Sequence, residues 1–192
     1  MAGSAPSRSP EPRLARREEL ALLPRIEAQA GERLRGHPAA AVFAASPTEP
    51  AQFERAWQCG MLWVVASEDA LAGYLMAGVL GEDFHIQQMD VAPAHGRQGH
   101  GRALLRHAMA QGRARGYRRA VLSTLADVPW NAPFYASEGF SAWPAHEWSA
   151  GMCEVMAAEA DAGFPMALRL AMRRTLEQPW ALSCESGGAS DV

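Results

Sequence analysis

One short segment, Gly96-Arg97-Gln98-Gly99-His100-Gly101-Arg102, constrains this chain more than any other. It follows a strand-like run from Phe84 to Val91 that Pro93 ends. It opens a stretch from Arg102 to about Arg115 in which Leu104, Leu105, Ala108 and Met109 form one helical stripe. Gly116 stops that helix and Arg119 to Leu125 supplies the next strand, so the unit is expected to be a right-handed βαβ crossover with parallel strands. Glycines let successive backbone N–H groups converge on one cluster of oxygens. The helix N-terminus adds about half a positive charge. Phosphate or pyrophosphate is the natural guest. A nicotinamide dinucleotide does not fit, because the third glycine of its fingerprint is replaced by Leu104 and the turn follows an antiparallel meander.

The rest of the chain builds around that unit. Glu18 to Arg35 predicts a helix, kinked or split by Pro24 and stopped by Gly36-His37-Pro38. Ala51 to Gln58 predicts a second, short one. Met61 to Ala66 and Leu71 to Leu80 read as a hairpin through Ser67-Glu68-Asp69, and Gly81-Glu82-Asp83 turns into the Phe84 strand. Downstream come a short helix over Asn131 to Ser137, a short strand from Gly139-Phe140, a helix over Glu147 to Ala160 and a strand over Leu168 to Arg174. The fold class is α/β, a central mixed sheet flanked by helices. Residues 1–12 read as a disordered leader, 13–175 as one domain and 176–192 as a flexible tail.

Composition removes several function classes. The chain contains no lysine, and all 18 basic residues are arginine. Schiff-base, pyridoxal phosphate and Walker-A enzymes need a lysine amine. The net charge of −3 offers no basic face for nucleic acid, and the group Arg113, Arg115, Arg118 and Arg119 reads as a solvated helix end. No apolar run reaches the ~20 residues of a membrane span. Cys59, Cys153 and Cys184 have no metal-type spacing and imply a reduced, cytoplasmic setting. His95, His100 and His107 are five and seven apart, not the helical pair a metal site uses, so no metal is expected. The Ala- and Arg-rich, Lys-free composition suggests a bacterial, high-GC source.

Two motifs carry a resemblance. Val91-x-Pro93 with Gly99-His100-Gly101-Arg102-Ala103-Leu104-Leu105, and Asn131-Ala132-Pro133-Phe134-Tyr135 with Gly139-Phe140, resemble in order and placement the acetyl-CoA motifs of the GNAT N-acetyltransferases. The resemblance spans approximately residues 13 to 175. It departs at Gly96, where the family usually carries Arg or Gln, while Arg97 and Gln98 follow. It implies an enzyme that moves the acetyl group of acetyl-CoA to an amine by direct attack in a ternary complex.

The resemblance also implies roles. The backbone N–H of Met89 holds the thioester carbonyl, and Met89 to Val91 pairs with the pantetheine arm. Backbone amides of Gly96, Arg97, Gln98, Gly99, His100, Gly101 and Arg102 take the pyrophosphate, with Arg97 or Arg102 adding charge-assisted contacts. Asn131 bonds the pantetheine arm or caps its helix. Tyr135 is the general acid for the departing thiolate. His85 occupies the position where relatives place a glutamate base, and Glu82, Asp83 and Glu154 are weaker candidates. A primary amine of pKa ~10.4 costs about 4.6 kcal/mol to deprotonate at pH 7, so a base matters.

The acceptor is expected to be a small cationic amine, recognised by the first two helices, the loop around Glu82 and the segment from His146 to Pro165. Trp143, Trp148 and Phe164 read as slot or core, and Glu147, Glu154, Glu159 and Asp161 as charge for the amine or a solvated face. The alternatives are a peptide or protein N-terminus as acceptor, a longer acyl-CoA as donor, and a non-catalytic acyl-CoA sensor. The oligomeric state is open; the resemblance is compatible with a homodimer.

Overall fold

The computed structural model describes residues 11–67 and 70–176. Most of the expected leader and tail, Cys184 and the hairpin turn at 68–69 lie outside the described residues. Leu176 is buried in the core.

Among the described residues, seven strands form one mixed sheet. They are β1 (Arg13–Leu14), β2 (Leu62–Ser67), β3 (Ala70–Leu80), β4 (Asp83–Val91), β5 (Arg119–Leu125), β6 (Ser141–Ala142) and β7 (Arg169–Thr175). Their order is β1-β2-β3-β4-β5-β7-β6. Every pair is antiparallel except β4–β5, the crossover the glycine turn predicts. Helix α4 (His100–Ala114) makes that crossover and packs on one face, where Leu104, Leu105 and Ala108 meet Trp63, Leu75, Phe84, Ile86 and Leu122. Gly112 lets it come close: a Cβ there would stand 2.9 Å from Phe84 Cγ.

The other face is covered in two halves. Helices α1 (Leu23–Gly31) and α3 (Pro50–Gln58) cover Leu62, Val64, Tyr74 and Met76. Helix α6 (Ala150–Asp161) covers Val121, Trp143 and Ala171. A smaller cluster joins Ala39, Leu125 and Val128 to Phe43 of α2 (Ala40–Ala45) and to Phe164.

The long first helix is a correction. A 3₁₀ stretch over Arg17–Leu22 precedes α1, and another over Glu32–Leu34 follows it. Pro24 sits in the first turn of α1, where its missing N–H costs no hydrogen bond, so the chain restarts a helix there. The helix expected from Glu147 begins instead at Ala150, capped by Ser149 Oγ accepting from Met152 N–H at 3.4 Å. Strand β1 and helix α2 had no sequence signal. No helix among the described residues is long and apolar enough to cross a membrane.

Candidate active site

Two strands part to make the site. β4 and β5 pair only at Phe84↔Ala120 and His85↔Val121, although each runs on for several residues. A bulge opposite Met76 and Ala77 marks the divergence, with Ile86 and Gln88 paired and Gln87 extra. The bulge resets which side chains face where. Phe84, Ile86, Met89 and Val91 point into the α4 core, and Asp90 turns to Tyr74 on the α1 side.

Backbone direction follows from the ladder. Ala92 N–H donates to Ala72 O at 2.8 Å, and hydrogen-bonded pairs alternate in an antiparallel ladder. Tyr74↔Asp90 is therefore a bonded pair, while Met89 and Val91, opposite Leu75 and Gly73, turn their N–H groups away from β3 and into the gap.

The glycine turn lies at the mouth of the gap. Gly99 takes φ +84° as the residue before α4, with no side-chain cap, so the first amides of α4 stay open to a ligand. A Cβ at Gly101 would make only ordinary contact, 3.8 Å from Val91 Cγ2, so packing alone does not require glycine. Gly96 sits at φ −65°, which any residue accepts, whereas Arg97 takes φ +61°, where glycine is favoured. Arg97 is exposed. Arg102 is engaged elsewhere: its Nε donates to Glu138 Oε1 at 2.6 Å, beside Arg106 Nε donating to Oε2 at 2.7 Å. Burial raises the Glu138 carboxyl, but the two arginine hydrogen bonds prevail and hold it below the usual glutamate range. His100 is buried with Nδ1 unpartnered, and its Nε2 lies 3.3 Å from Gln98 Oε1. The His95 and His100 rings lie 6.2 Å apart, while His107 packs at Trp63, 6.0 Å away.

Helix α5 (Ala132–Ser137) carries Tyr135, which packs against the α4 core cluster. Its ring packs at 5.2 Å from Phe134 and 5.8 Å from Phe140. Burial pushes the phenol up, the Asp90 charge adds to this, and Arg169 opposes it, so Tyr135 holds its proton at neutral pH. Asn131 precedes α5 and makes no side-chain cap, leaving its amide available.

His85 stands before the bulge, buried, with Glu159 and Asp83 nearby. Burial pushes its pKa down to about 4, against the pull of those two carboxylates. Asp90, which the sequence reading passed over, is half-buried beside Met89. Tyr74 Oη donates to its Oδ2 at 2.9 Å and Gln88 Nε2 at 2.8 Å. Burial pushes its pKa up to about 6, the two hydrogen bonds pull it down, and Glu27 adds repulsion. Asp90 is thus the stronger base of the two.

Of the expected acceptor residues, Trp143 is core and Trp148 Nε1 donates to its carbonyl at 2.8 Å. Phe164 packs edge-on against Phe43 at 4.8 Å, with the Arg169 guanidinium 5.0 Å from its ring. Glu159 is gripped by Arg169 at 2.6 and 2.7 Å and by Ser123. Glu82, Glu147, Glu154 and Asp161 are exposed, and Asp83 pairs with Arg119.

Known proteins share this architecture. The ribosomal-protein-S18-alanine N-acetyltransferase of Escherichia coli superposes with a TM-score of 0.60 at 17% identity, over 90% of this chain and 97% of its own. A GCN5-related N-acetyltransferase of Rhodopseudomonas palustris gives 0.64 at 18%, over 91% and 100%. A Mycobacterium tuberculosis protein crystallised with CoA gives 0.62 at 18%, over 88% and 100%. At such identities the likeness is one of fold. The profile of the acetyltransferase (GNAT) family matches residues 31–140, more than half of the chain. The chain belongs to the GNAT family of acetyltransferases, whose chemistry is acetyl-CoA-dependent acyl transfer.

Proposed function

We propose that the protein transfers the acetyl group of acetyl-CoA to the amine of a small cationic molecule, by direct attack in a ternary complex. The cofactor lies along the gap between β4 and β5. The Met89 N–H polarises the thioester carbonyl, Val91 and Asn131 hold the pantetheine arm, and amides from Gly96 to Arg102 grip the pyrophosphate. Arg97 adds charge there; Arg102 instead braces the turn through Glu138. Tyr135 gives its proton to the departing sulfur.

The observation that carries the acceptor class is a missing cation. Glu19, Asp83, Glu138 and Glu159, all buried or half-buried, each face an arginine. Glu27 and Asp90, close enough for their charges to interact, face none among the described residues. Among the described residues Thr48 alone bonds Glu27, by its N–H at 3.0 Å and its hydroxyl at 2.9 Å. Half-buried carboxylates favour a positive partner, and an amine at the reaction point supplies one.

The experiment is calorimetry with CoA followed by thiol release from acetyl-CoA across linear diamines, monoamines and basic peptides. Turnover concentrated on diamines is expected. Preference for the peptides would move the acceptor to a polypeptide N-terminus. CoA binding without turnover of any amine would make the protein a sensor. For Tyr135→Phe, kcat should fall at least tenfold with CoA affinity retained.

A further inference from the structure

The reaction requires a neutral nucleophile, and the fold sets one carboxylate beside the acyl-binding strand with half of its valence unused. Asp90 follows Met89, whose N–H faces the gap, and its side chain leaves the sheet on the α1 side. Both of its hydrogen bonds end on one oxygen, Oδ2, from Tyr74 and Gln88. Oδ1 has no hydrogen bond among the described residues, and it is not sealed off: the one sealed, unpartnered side-chain atom among them is His100 Nδ1. Across the gap the Tyr135 phenol lies close enough to feel the Asp90 charge. Acid and carboxylate are therefore near neighbours.

We propose that Asp90 is the general base of the acetyl transfer, taking the amine's proton on Oδ1 while Tyr74 and Gln88 hold Oδ2 and fix the carboxyl plane. This rests on the acetyl-CoA reading above. The ammonium gives one proton to Asp90. The freed lone pair forms the N–C bond to the thioester carbonyl, and the C–S bond breaks. The thiolate takes the Tyr135 phenol proton, and the second N–H proton returns to the Tyr135 oxygen. Asp90 then releases its proton to solvent, so the products are an acetamide, a free thiol and one proton.

The groups facing Asp90 are Tyr74 from β3, Glu27 from α1, Gln88 on its own strand and Tyr135 from α5. Thr48, which holds Glu27, completes the shell. Tyr74 and Gln88 stabilise the ionised carboxylate, whereas burial and Glu27 oppose it. Tyr74 is thus a positioning residue, and losing its hydroxyl should move the protonation step of the rate upward in pH.

The test uses the full chain with acetyl-CoA and linear diamines such as putrescine. For Asp90→Asn, CoA affinity should stay within about twofold while kcat/KM falls at least a hundredfold and the acidic limb of its pH profile disappears. For Tyr74→Phe, that limb should shift to higher pH, a change that loss of packing alone would not produce. Asp90→Asn retaining kcat/KM within about threefold would overturn the assignment. So would loss of CoA binding in that variant alone, which would make Asp90 structural. An unmoved limb in Tyr74→Phe would do the same. Failure of the wild-type protein to bind CoA would sink the acetyl-CoA reading itself. CoA binding by wild type without turnover of any diamine would overturn the amine chemistry and this base with it.

Discussion

Arg97 and Gly96 stand in each other's place as far as the backbone is concerned. The left-handed position belongs to arginine and the ordinary one to glycine. A non-glycine residue at φ +61° costs on the order of 1 kcal/mol. Arg97→Gly should therefore raise stability by about 1 kcal/mol in denaturant titration while weakening CoA several-fold in calorimetry. A variant that is both more stable and equally avid would leave the arginine without a role at the phosphates. The glycines themselves were plain in the sequence, because a phosphate turn needs them at fixed spacing. Asp90, the base proposed above, carries no such mark. The family resemblance points to His85, six residues before Val91; the extra residue at Gln87 shifts the alternation between the two, and a bulge leaves no mark on composition.

At the level of elements, two contacts fix α4, one through close approach and one through charge. Gly112→Ala gains about 1 kcal/mol of helix propensity. Its Cβ, however, would meet the fully buried Phe84 ring at 2.9 Å, and that ring has nowhere to move. Overpacking of this kind costs about 1–3 kcal/mol, so the variant should lower the denaturation midpoint. Glu138 ties Arg102 and Arg106 of α4 to the end of α5. Glu138→Gln should lower Tm by a few degrees and reduce kcat more than CoA affinity, since α5 carries Tyr135. In the wild type this clasp is complete above the ordinary glutamate range and is lost as pH falls through the depressed pKa of Glu138, so the Tm difference should vanish in acid. The helices that reach the site were mostly legible from periodicity and proline placement. The 3₁₀ segments around α1 were not, since stretches of six and three residues carry too little period to separate them from an α-helix.

Over the whole molecule, two titratable groups on one strand oppose each other, His85 buried and Asp90 half-buried. His85 has its pKa lowered to about 4, so its neutral form favours the fold above the ordinary histidine range and this contribution is lost as pH falls from about 6.5 to 4. Asp90 has its pKa raised to about 6, so its protonated form favours the fold below the ordinary carboxylate range and this contribution is lost as pH rises through 6. Between about pH 4 and 6 the unfolded chain carries its proton on His85 and the folded one on Asp90. The two slopes cancel, and denaturant stability should be nearly flat in that window. Asp90→Asn should unmask a rise in stability with pH there, and His85→Gln a fall. Matching slopes in both variants would refute the pairing. The layered α/β plan and the parallel crossover could be read from the sequence, because hydrophobic period and glycine punctuation are local. The parting of the strands could not, because it depends on β4 meeting β5 across 35 intervening positions in register Phe84↔Ala120, and register is a property of the assembled sheet.

That parting has a mechanical consequence. The sheet is two panels, β1 to β4 and β5 to β7, stitched by only two rungs. A pantetheine chain threaded between them would act as the missing lacing, bonded to one panel and wedged against the other. Occupancy should therefore slow amide exchange in β7, which the ligand never touches, as well as in β4.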